Sequence, residues 1–513
     1  MIDATPALRF YARRRLRRLD RMDPVAAQQD QLLRLVRRAA PTRFGRDHGF
    51  DRIASVADFQ AAVPLRSYEQ LWSDYWQAAF PRLHDLTWPG LVPYFAVSSG
   101  TTSGPTKFIP VTGAMVRANR RAALDVLAFH LRARPDSRVF GGPGFVLGGS
   151  TALTMQAPCI FSGDLSGIAA REVPWWARPR YFPPPALALL ADWEDKVAQL
   201  ARRAPSQDLR SISGTPSWLL LFFDRLAALA PGRPRRLAAY WPRLELLVHG
   251  GVAFAPYRTR FEGWLHGSHA ETREVYPASE GFIAAADRGP DDGLHVMLDN
   301  GLFLEFVPVA ELGDRQPTRH WLATVEPGIQ YAVVVSSCAG LWAYILGDTV
   351  RFVDGSRRHL VVTGRTAWTL SAFGEHLIGA EIEQAVAAAA VAIDAALADF
   401  TVTPQFPAGS SPGRHVFIVE FATPIADATR LVRFGAVLDR TLSALNLDYA
   451  AHRSGDFGMA PPRIEAAPPG SFARWMKGRG KLGGQNKVPR VITDPALLDG
   501  LRRVIAGRDM PSA

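Results

Sequence analysis

Ten residues, Ser98-Ser99-Gly100-Thr101-Thr102-Ser103-Gly104-Pro105-Thr106-Lys107, follow the strand-like stretch Tyr94-Phe95-Ala96-Val97. A succession of small, hydroxylated and glycine residues can turn backbone N–H groups and hydroxyls toward phosphate oxygens. The closing lysine adds a mobile positive charge. The glycine and lysine spacing of a Walker A loop is absent. Lysine is scarce in this chain: of 59 Lys and Arg residues, only positions 107, 196, 477, 481 and 487 are lysine. Each is a candidate for work that needs a compact point charge with freely rotating donors, which a guanidinium does not supply.

Four further segments carry chemistry. In Tyr276-Pro277-Ala278-Ser279-Glu280-Gly281 an aromatic ring can stack on a base, and a carboxylate four positions on can hold Mg²⁺ against phosphates. Gly347-Asp348, at the end of the apolar run from Gly340, suits gripping a pair of ribose hydroxyls. Gly364-Arg365 reads as a hinge, followed by Phe373-Gly374-Glu375-His376. The tail Gly483-Gly484-Gln485-Asn486-Lys487-Val488-Pro489-Arg490 combines a Gly-Gly pair, which allows close backbone approach, with another of the rare lysines.

The elements that must position these residues follow from pattern. Residues 1–90 read as helical, including Gln28–Ala39 and a turn at Pro41–Gly45. From Tyr94 strand, loop and helix alternate, the texture of an α/β core. A helix is expected after Thr112 as N-cap, with Met115, Ala122, Val126 and Phe129 on one face and Arg117, Arg120 and Arg121 opposite. Strands are expected at Leu244–His249, Gly301–Val307, Gln330–Ser336 and Leu360–Thr363. Beyond Arg365 come a helix with the stripe Ile382, Val386, Ala389 and Ile393, a strand His415–Phe421, a helix Leu431–Leu445 and a strand near Arg463–Ala466. The boundary is expected at 363, giving domains 1–363 and 364–513.

The five motifs, in this order, resemble the Gretchen Hagen three (auxin-responsive promoter) acyl acid amido synthetase family, a branch of the adenylate-forming superfamily. Thr42–Phe50, Ser213–Trp218, His249–Val252 and Asn446–Tyr449 add to the likeness, which spans almost the whole chain. The resemblance implies an α/β fold, with a large N-terminal adenylate-forming-type domain, β-sheets flanked by helices, and a small mobile α+β C-terminal domain. It implies ATP and Mg²⁺ as cofactors, and a small-molecule carboxylic acid and an amino acid as substrates. Ser98, Ser99, Gly100, Thr101, Thr102, Gly104 and Lys107 would close over the β- and γ-phosphates. Tyr276 and Ser279 would lie by the adenine, Glu280 would ligate Mg²⁺, and Asp348 would hold the ribose, with Arg365 at the hinge. Lys487 would be delivered by the mobile domain. Departures from the family pattern are Ala343, where many relatives have arginine, Thr366-Ala367 after the hinge arginine, and Asn486 in place of a tyrosine.

The implied reaction activates an acid as its adenylate and passes the acyl group to an amine. Glu375 and His376 are candidate bases for the amine. An acid–CoA ligase of the same superfamily and a nucleotide-binding member without turnover remain as alternatives. A different class, an HxxxD acyltransferase, is suggested by His295-Val296-Met297-Leu298-Asp299, but 12 histidines give about 0.6 such matches by chance. A serine hydrolase, which His249-Gly250-Gly251 suggests, is set aside.

The 513 residues, with 48% hydrophobic and 21% charged, suffice for two to four domains without disulfide or metal staples. Two distant cysteines, Cys159 and Cys338, fit a reducing cytoplasm. No 18-residue apolar run and no apolar segment behind the N-terminal arginines are present, so a soluble cytoplasmic protein without membrane insertion is expected. Much of the +11 net charge lies in Arg9–Arg21. Without a helix-turn-helix, zinc finger or RNP pair beside it, the run reads as a solvated helix face and not a nucleic-acid site.

Overall fold

The computed structural model describes residues 2–98, 107–148, 153–175, 177–188, 190, 193–251, 254, 257–289, 292–366, 370, 377, 379–406, 413–446, 449–450, 453, 459–480 and 487–507. By its contacts the chain divides into two compact units. One comprises Met1–Val252 and Leu265–Val362; the other comprises Ala253–Trp264 and Thr363–Ala513.

The first unit holds two sheets. The smaller has four strands in the order β2-β1-β5-β4, with β1 Tyr94–Ser98, β2 Lys107–Val111, β4 Thr154–Ala157 and β5 Ile160–Gly163. The larger runs from β13 (His320–Trp321) through β12 (Leu302–Pro308), β14 (Gln330–Ser337), β15 (Tyr344–Phe352), β16 (His359–Arg365), β11 (Leu294–Val296), β10 (Gly281–Ala285) and β9 (Glu271–Ala278). It continues through β8 (Leu246–Gly250), β7 (Ser211–Gly214) and β3 (Gly144–Leu147) to β6 (Tyr181–Phe182). From β9 to β6 the pairing is parallel, whereas β9–β10, β10–β11 and β11–β16 are antiparallel. Strand β14, buried along almost its whole length, reads as a near-continuous apolar run, as a doubly covered strand must. Trp342 sits in an aromatic cluster with Phe44, Phe50 and Phe59, so it is core and not a site residue.

The helix Gly113–Ala133 begins where its cap predicts: Thr112 Oγ1 accepts the Met115 N–H at 3.2 Å, and Met115, Ala122, Val126 and Phe129 are buried. The expected turn at Pro41–Gly45 is present at Pro41 and Thr42, where the Thr42 N–H donates to the Ala39 carbonyl at 2.9 Å, and gives way to a short helix, Arg43–Asp47. Thr42 Oγ1 accepts the Gly45 N–H and sets its first turn.

The arginine run is the expected solvated face at Arg13, Arg14, Arg17, Arg18 and Arg21, which are exposed, and Arg15 is the exception. The run forms the helix Thr5–Arg21, and Arg15 is buried. Its guanidinium makes paired hydrogen bonds to Asp125 (2.8 and 2.8 Å) and to Asp299 (2.8 and 2.6 Å). A planar fork with five donors suits two carboxylates at once. Burial alone would raise the Asp299 pKa, but the Arg15 hydrogen bonds and the charges of Arg15, Arg121 and Arg18 hold it below the ordinary carboxylate range.

In the second unit β17 (Leu397–Gln405), β18 (Arg414–Phe421) and β19 (Arg463–Ala467) form one sheet in that order. The helices Gly379–Ala392 and Ala428–Leu445 pack with it through Ile382, Val386, Ala389, Phe434 and Leu438. Strand β17 is absent from the expectations above. Its signal, Phe-Thr-Val-Thr, is a β-branched run in which both the apolar and the threonine positions are buried, so no polar alternation announces it.

Candidate active site

Strands β1 and β2 pair antiparallel with Ser98 opposite Lys107, so the residues between them join the ends of a hairpin. Ser99, Gly100, Thr101, Thr102 and Gly104 lie outside the described residues. Lys107 opens β2 and is half-buried. Its ammonium stands 5.3 Å from the centre of the Tyr68 ring and 3.9 Å from Glu69 Oε1. Tyr68 Oη in turn accepts the Phe108 N–H at 2.9 Å, which ties the ring to the same strand. The helical turn Tyr68–Leu71 is set by a capping box between Ser67 and Gln70. Sequence reasoning missed Tyr68 and Glu69; the Ser-x-x-Gln capping signature was the available signal.

Tyr276 and Asp348 meet: Tyr276 Oη donates to Asp348 Oδ2 at 2.8 Å. Strands β10, β11 and β16 separate β9 from β15 in the sheet order, so this bond requires a strongly curved sheet. The register explains how Asp348 is aimed. Opposite Ala332 and Val334 on β14 stand Thr349 and Ile345 on β15, so one residue on β14 faces three on β15. Leu346, Gly347 and Asp348 form this bulge, and Gly347 takes φ 88°, which a side chain would strain. The Gly-Asp pair noted in the sequence is therefore the bulge itself.

Ser279 and Glu280 are the two residues that turn β9 into β10, and both are buried. The following Gly281 has φ 149°, and a Cβ there would lie 2.7 Å from Leu302 Cδ2. Among the described residues no group of three or more His, Cys, Asp or Glu could enclose a metal. A single carboxylate completed by substrate phosphates is how Mg²⁺ is commonly bound, and Glu280 fits that kind of site.

Ala343 has φ 46° and is fully buried; its N–H donates to Ser336 Oγ at 2.8 Å, and its carbonyl accepts the Arg66 N–H at 2.9 Å. Arg365 ends β16 and is half-buried, and Lys487 is exposed; both belong to the second unit. Glu375, His376, Gln485 and Asn486 lie outside the described residues. Arg120 donates to the Glu172 carbonyl at 2.7 Å and Arg121 to the Asp299 carbonyl at 2.9 Å.

The HxxxD pair does not form a base. Asp299 is held by Arg15, and His295 is buried against Phe129 and His359. Desolvation lowers the His295 pKa to about 4, with Asp287 opposing it.

The fold of the chain matches that of solved ligases. The chain is similar over 93% of its length to the GH3.15 acyl acid amido synthetase (19% identity, 93% of that chain, TM-score 0.77). It is also similar over 93% to a 2-hydroxyisobutyryl-CoA ligase (17% identity, 91% of that chain, TM-score 0.62). In sequence it is 25% identical to the indole-3-acetic acid-amido synthetase GH3.8 of Oryza sativa subsp. indica, over 97% of this chain and 94% of that one. The GH3 family N-terminal domain matches residues 15–145, the central domain 295–359 and the C-terminal domain 380–496. The chain belongs to the GH3 family, the Gretchen Hagen three family that its motifs resemble.

Proposed function

We propose that the chain is an ATP-dependent acyl acid amido synthetase. A carboxylate does not condense with an amine at neutral pH because its leaving group is poor. With ATP as substrate, a carboxylate oxygen attacks the α-phosphorus, an O–P bond forms and pyrophosphate departs. The amine nitrogen of an amino acid then attacks the acyl carbon, AMP leaves with the bonding pair, and the nitrogen gives up a proton.

The observation that carries this reading is the 2.8 Å bond between Tyr276 and the bulge-mounted Asp348. The phenol bond orients the carboxylate that the ribose role requires. Tyr276 and Ser279 serve the adenine, Asp348 the ribose, and Arg365 the hinge. Ser98, Ser99, Gly100, Thr101, Thr102, Gly104 and Lys107 serve the β- and γ-phosphates. Glu280 holds Mg²⁺, whose charge offsets the meeting of one anion with another. Lys487 is the mobile catalytic lysine. Residues 1–363 bind ATP and the acid, and residues 364–513 serve the acceptor. Catalysis on this reading is mostly positioning and charge stabilisation.

Among the described residues no helix is long and apolar enough to cross a membrane. The chain acts on small molecules in the cytoplasm, with no nucleic-acid partner.

The test is Mg-ATP-dependent pyrophosphate release across aromatic, jasmonate-like and fatty acids, with and without mixed amino acids, and with CoA as a separate acceptor. Acid-dependent release with an amide product when amino acids are added is expected. A thioester formed only with CoA would replace this reading by the acid–CoA ligase. ATP binding with no release across the panel would leave a non-catalytic nucleotide-binding protein.

A further inference from the structure

Arg490 ends the tail motif, three residues after Lys487, yet the two side chains have opposite environments. Lys487 is exposed; Arg490 is buried to 4%. Every arm of the Arg490 guanidinium is engaged. Nη1 donates to Asp399 Oδ1 and, at 2.9 Å, to the Phe400 carbonyl. Nε donates to Glu383 Oε1 at 3.2 Å, and Nη2 to Tyr257 Oη at 3.3 Å. The group also lies 4.4 Å from the centre of the Phe400 ring.

The backbone is fixed at the same place. The Val402 N–H donates to the Arg490 carbonyl at 2.8 Å, and the Ile492 N–H returns a bond to the Val402 carbonyl at 2.9 Å. Val402 and Val491 thus form a parallel bridge, and the tail is sewn to β17. All these partners, Tyr257 included, belong to the second unit. Lys487 is close enough for its charge to act on the Glu383 carboxyl, which burial pushes above its ordinary range despite Arg490.

We propose that Arg490 is a positioning residue for Lys487: by locking residues 490–492 onto β17 it fixes the base from which the lysine reaches. The anchor needs two carboxylates and a phenol because a buried guanidinium with open donors would cost more than it holds. A lysine side chain spans about four carbons of freely rotating chain, so its aim depends on where its backbone is pinned. This proposal rests on the reading of Lys487 as catalytic, and its test separates the two.

The variants are R490K, R490A, D399N, K487A and the double variant R490K/K487A. The first readout is independent of activity: lysine-specific endoprotease cleavage after Lys487, which releases the 488–513 fragment. The chain has only five lysines, so the fragment is unambiguous by mass; in R490K the added lysine also gives 491–513, which mass separates from 488–513, and D399N keeps the original lysine set. R490K and D399N are expected to keep a cooperative melt while cleavage after Lys487 accelerates about tenfold, reflecting a locally opened tail. R490A is expected to do the same unless it unfolds, in which case the two milder variants decide. The second readout is turnover. R490K should lower kcat about tenfold in the same half-reaction that K487A impairs, with the KM for ATP unchanged, and the double variant should be no worse than K487A. Unchanged cleavage in R490K and D399N overturns the anchor, whatever Lys487 does. Additive losses in the double variant overturn the action through Lys487. Full activity of K487A with accelerated cleavage in R490K overturns the catalytic assignment of Lys487 and the positioning role with it, while leaving the anchor as structure.

Discussion

Each unit buries an arginine between two acids, and the Arg15 and Arg490 clusters are put to different use. In the first unit Arg15 joins the N-terminal helix to Asp125 on the helix Gly113–Ala133 and to Asp299 beyond β11. The candidate reactive charges, Lys107 and Glu280, lie elsewhere in the sequence. In the second unit Arg490 and the candidate reactive lysine are three residues apart. Scaffold charge and reactive charge are therefore separable in one unit and fused in the other. A lesion in the first unit should touch stability or chemistry; one in the second should touch both.

Breaking the Arg15 cluster should have the largest effect. R15M leaves two buried carboxylates facing each other, a loss of about 3–5 kcal/mol for an uncompensated buried charge. Chemical denaturation of wild type and R15M reads it directly, and turnover per folded molecule should be unchanged. Turnover lost without a stability change would show that the first unit fuses the two roles as well. The converse lesions are K107A and E280A. Acid-dependent pyrophosphate release should fall about 10²–10³-fold, the size of a lost charge-stabilising contact, with the denaturation midpoint unmoved. A near-normal rate in either would remove that residue from the site.

The Tyr276–Asp348 pair sharpens the comparison, because backbone geometry and not buried charge aims it. D348N should raise the KM for ATP about 10- to 100-fold, the value of a hydrogen bond to a charged group, and Y276F, which only orients that carboxylate, about fivefold. Isothermal titration with ATP separates these effects from chemistry. Equal losses in the two variants would mean that Tyr276 does more than orient the carboxylate.

What the sequence discloses follows the range of the interaction. The Thr112 cap and the stripe from Met115 to Phe129 are local, and the helix they announce is present. The Gly347-Asp348 pair was readable as a carboxylate at a strand end, but the bulge depends on its register with β14, which no local pattern states. Arg15 was unreadable as a buried residue. It is one of seven arginines from Arg9 to Arg21, and its partners are 110 and 284 positions away. Arg490 was visible as part of a motif, yet its burial depends on Glu383, Asp399 and Tyr257, none of them near it in sequence. The motifs mark chemistry; the long-range ion pairs that hold those motifs in place leave no spacing to read.

The smallest effect is the finest test of the two clusters, because one acid of each is displaced, Asp299 downward and Glu383 upward. Asp299 is held below its ordinary pKa, so its charge stabilises the fold; that contribution is present above the unfolded value and is lost as pH falls through the folded one. Glu383 is raised, first by burial and further by Asp399, against the pull of Arg490 and Lys487. Its contribution is full below the ordinary glutamate value and is lost as pH rises through the folded one. D299N should therefore cost stability at pH 7, and the gap to wild type should narrow as acid protonates Asp299 itself. E383Q should be neutral or slightly stabilising at pH 7, within about 1 kcal/mol, because the charge it removes is one the fold carries at a cost. That difference should vanish near pH 4, where wild type is neutral at the same position. Denaturation curves for E383Q from pH 7 to pH 4, and for D299N from pH 7 to below the ordinary aspartate range, decide it. A clear destabilisation by E383Q at pH 7 would mean that the Arg490 cluster is as firmly paired as the Arg15 cluster, and that the second unit holds its tail by the same bond that the first uses for scaffold alone.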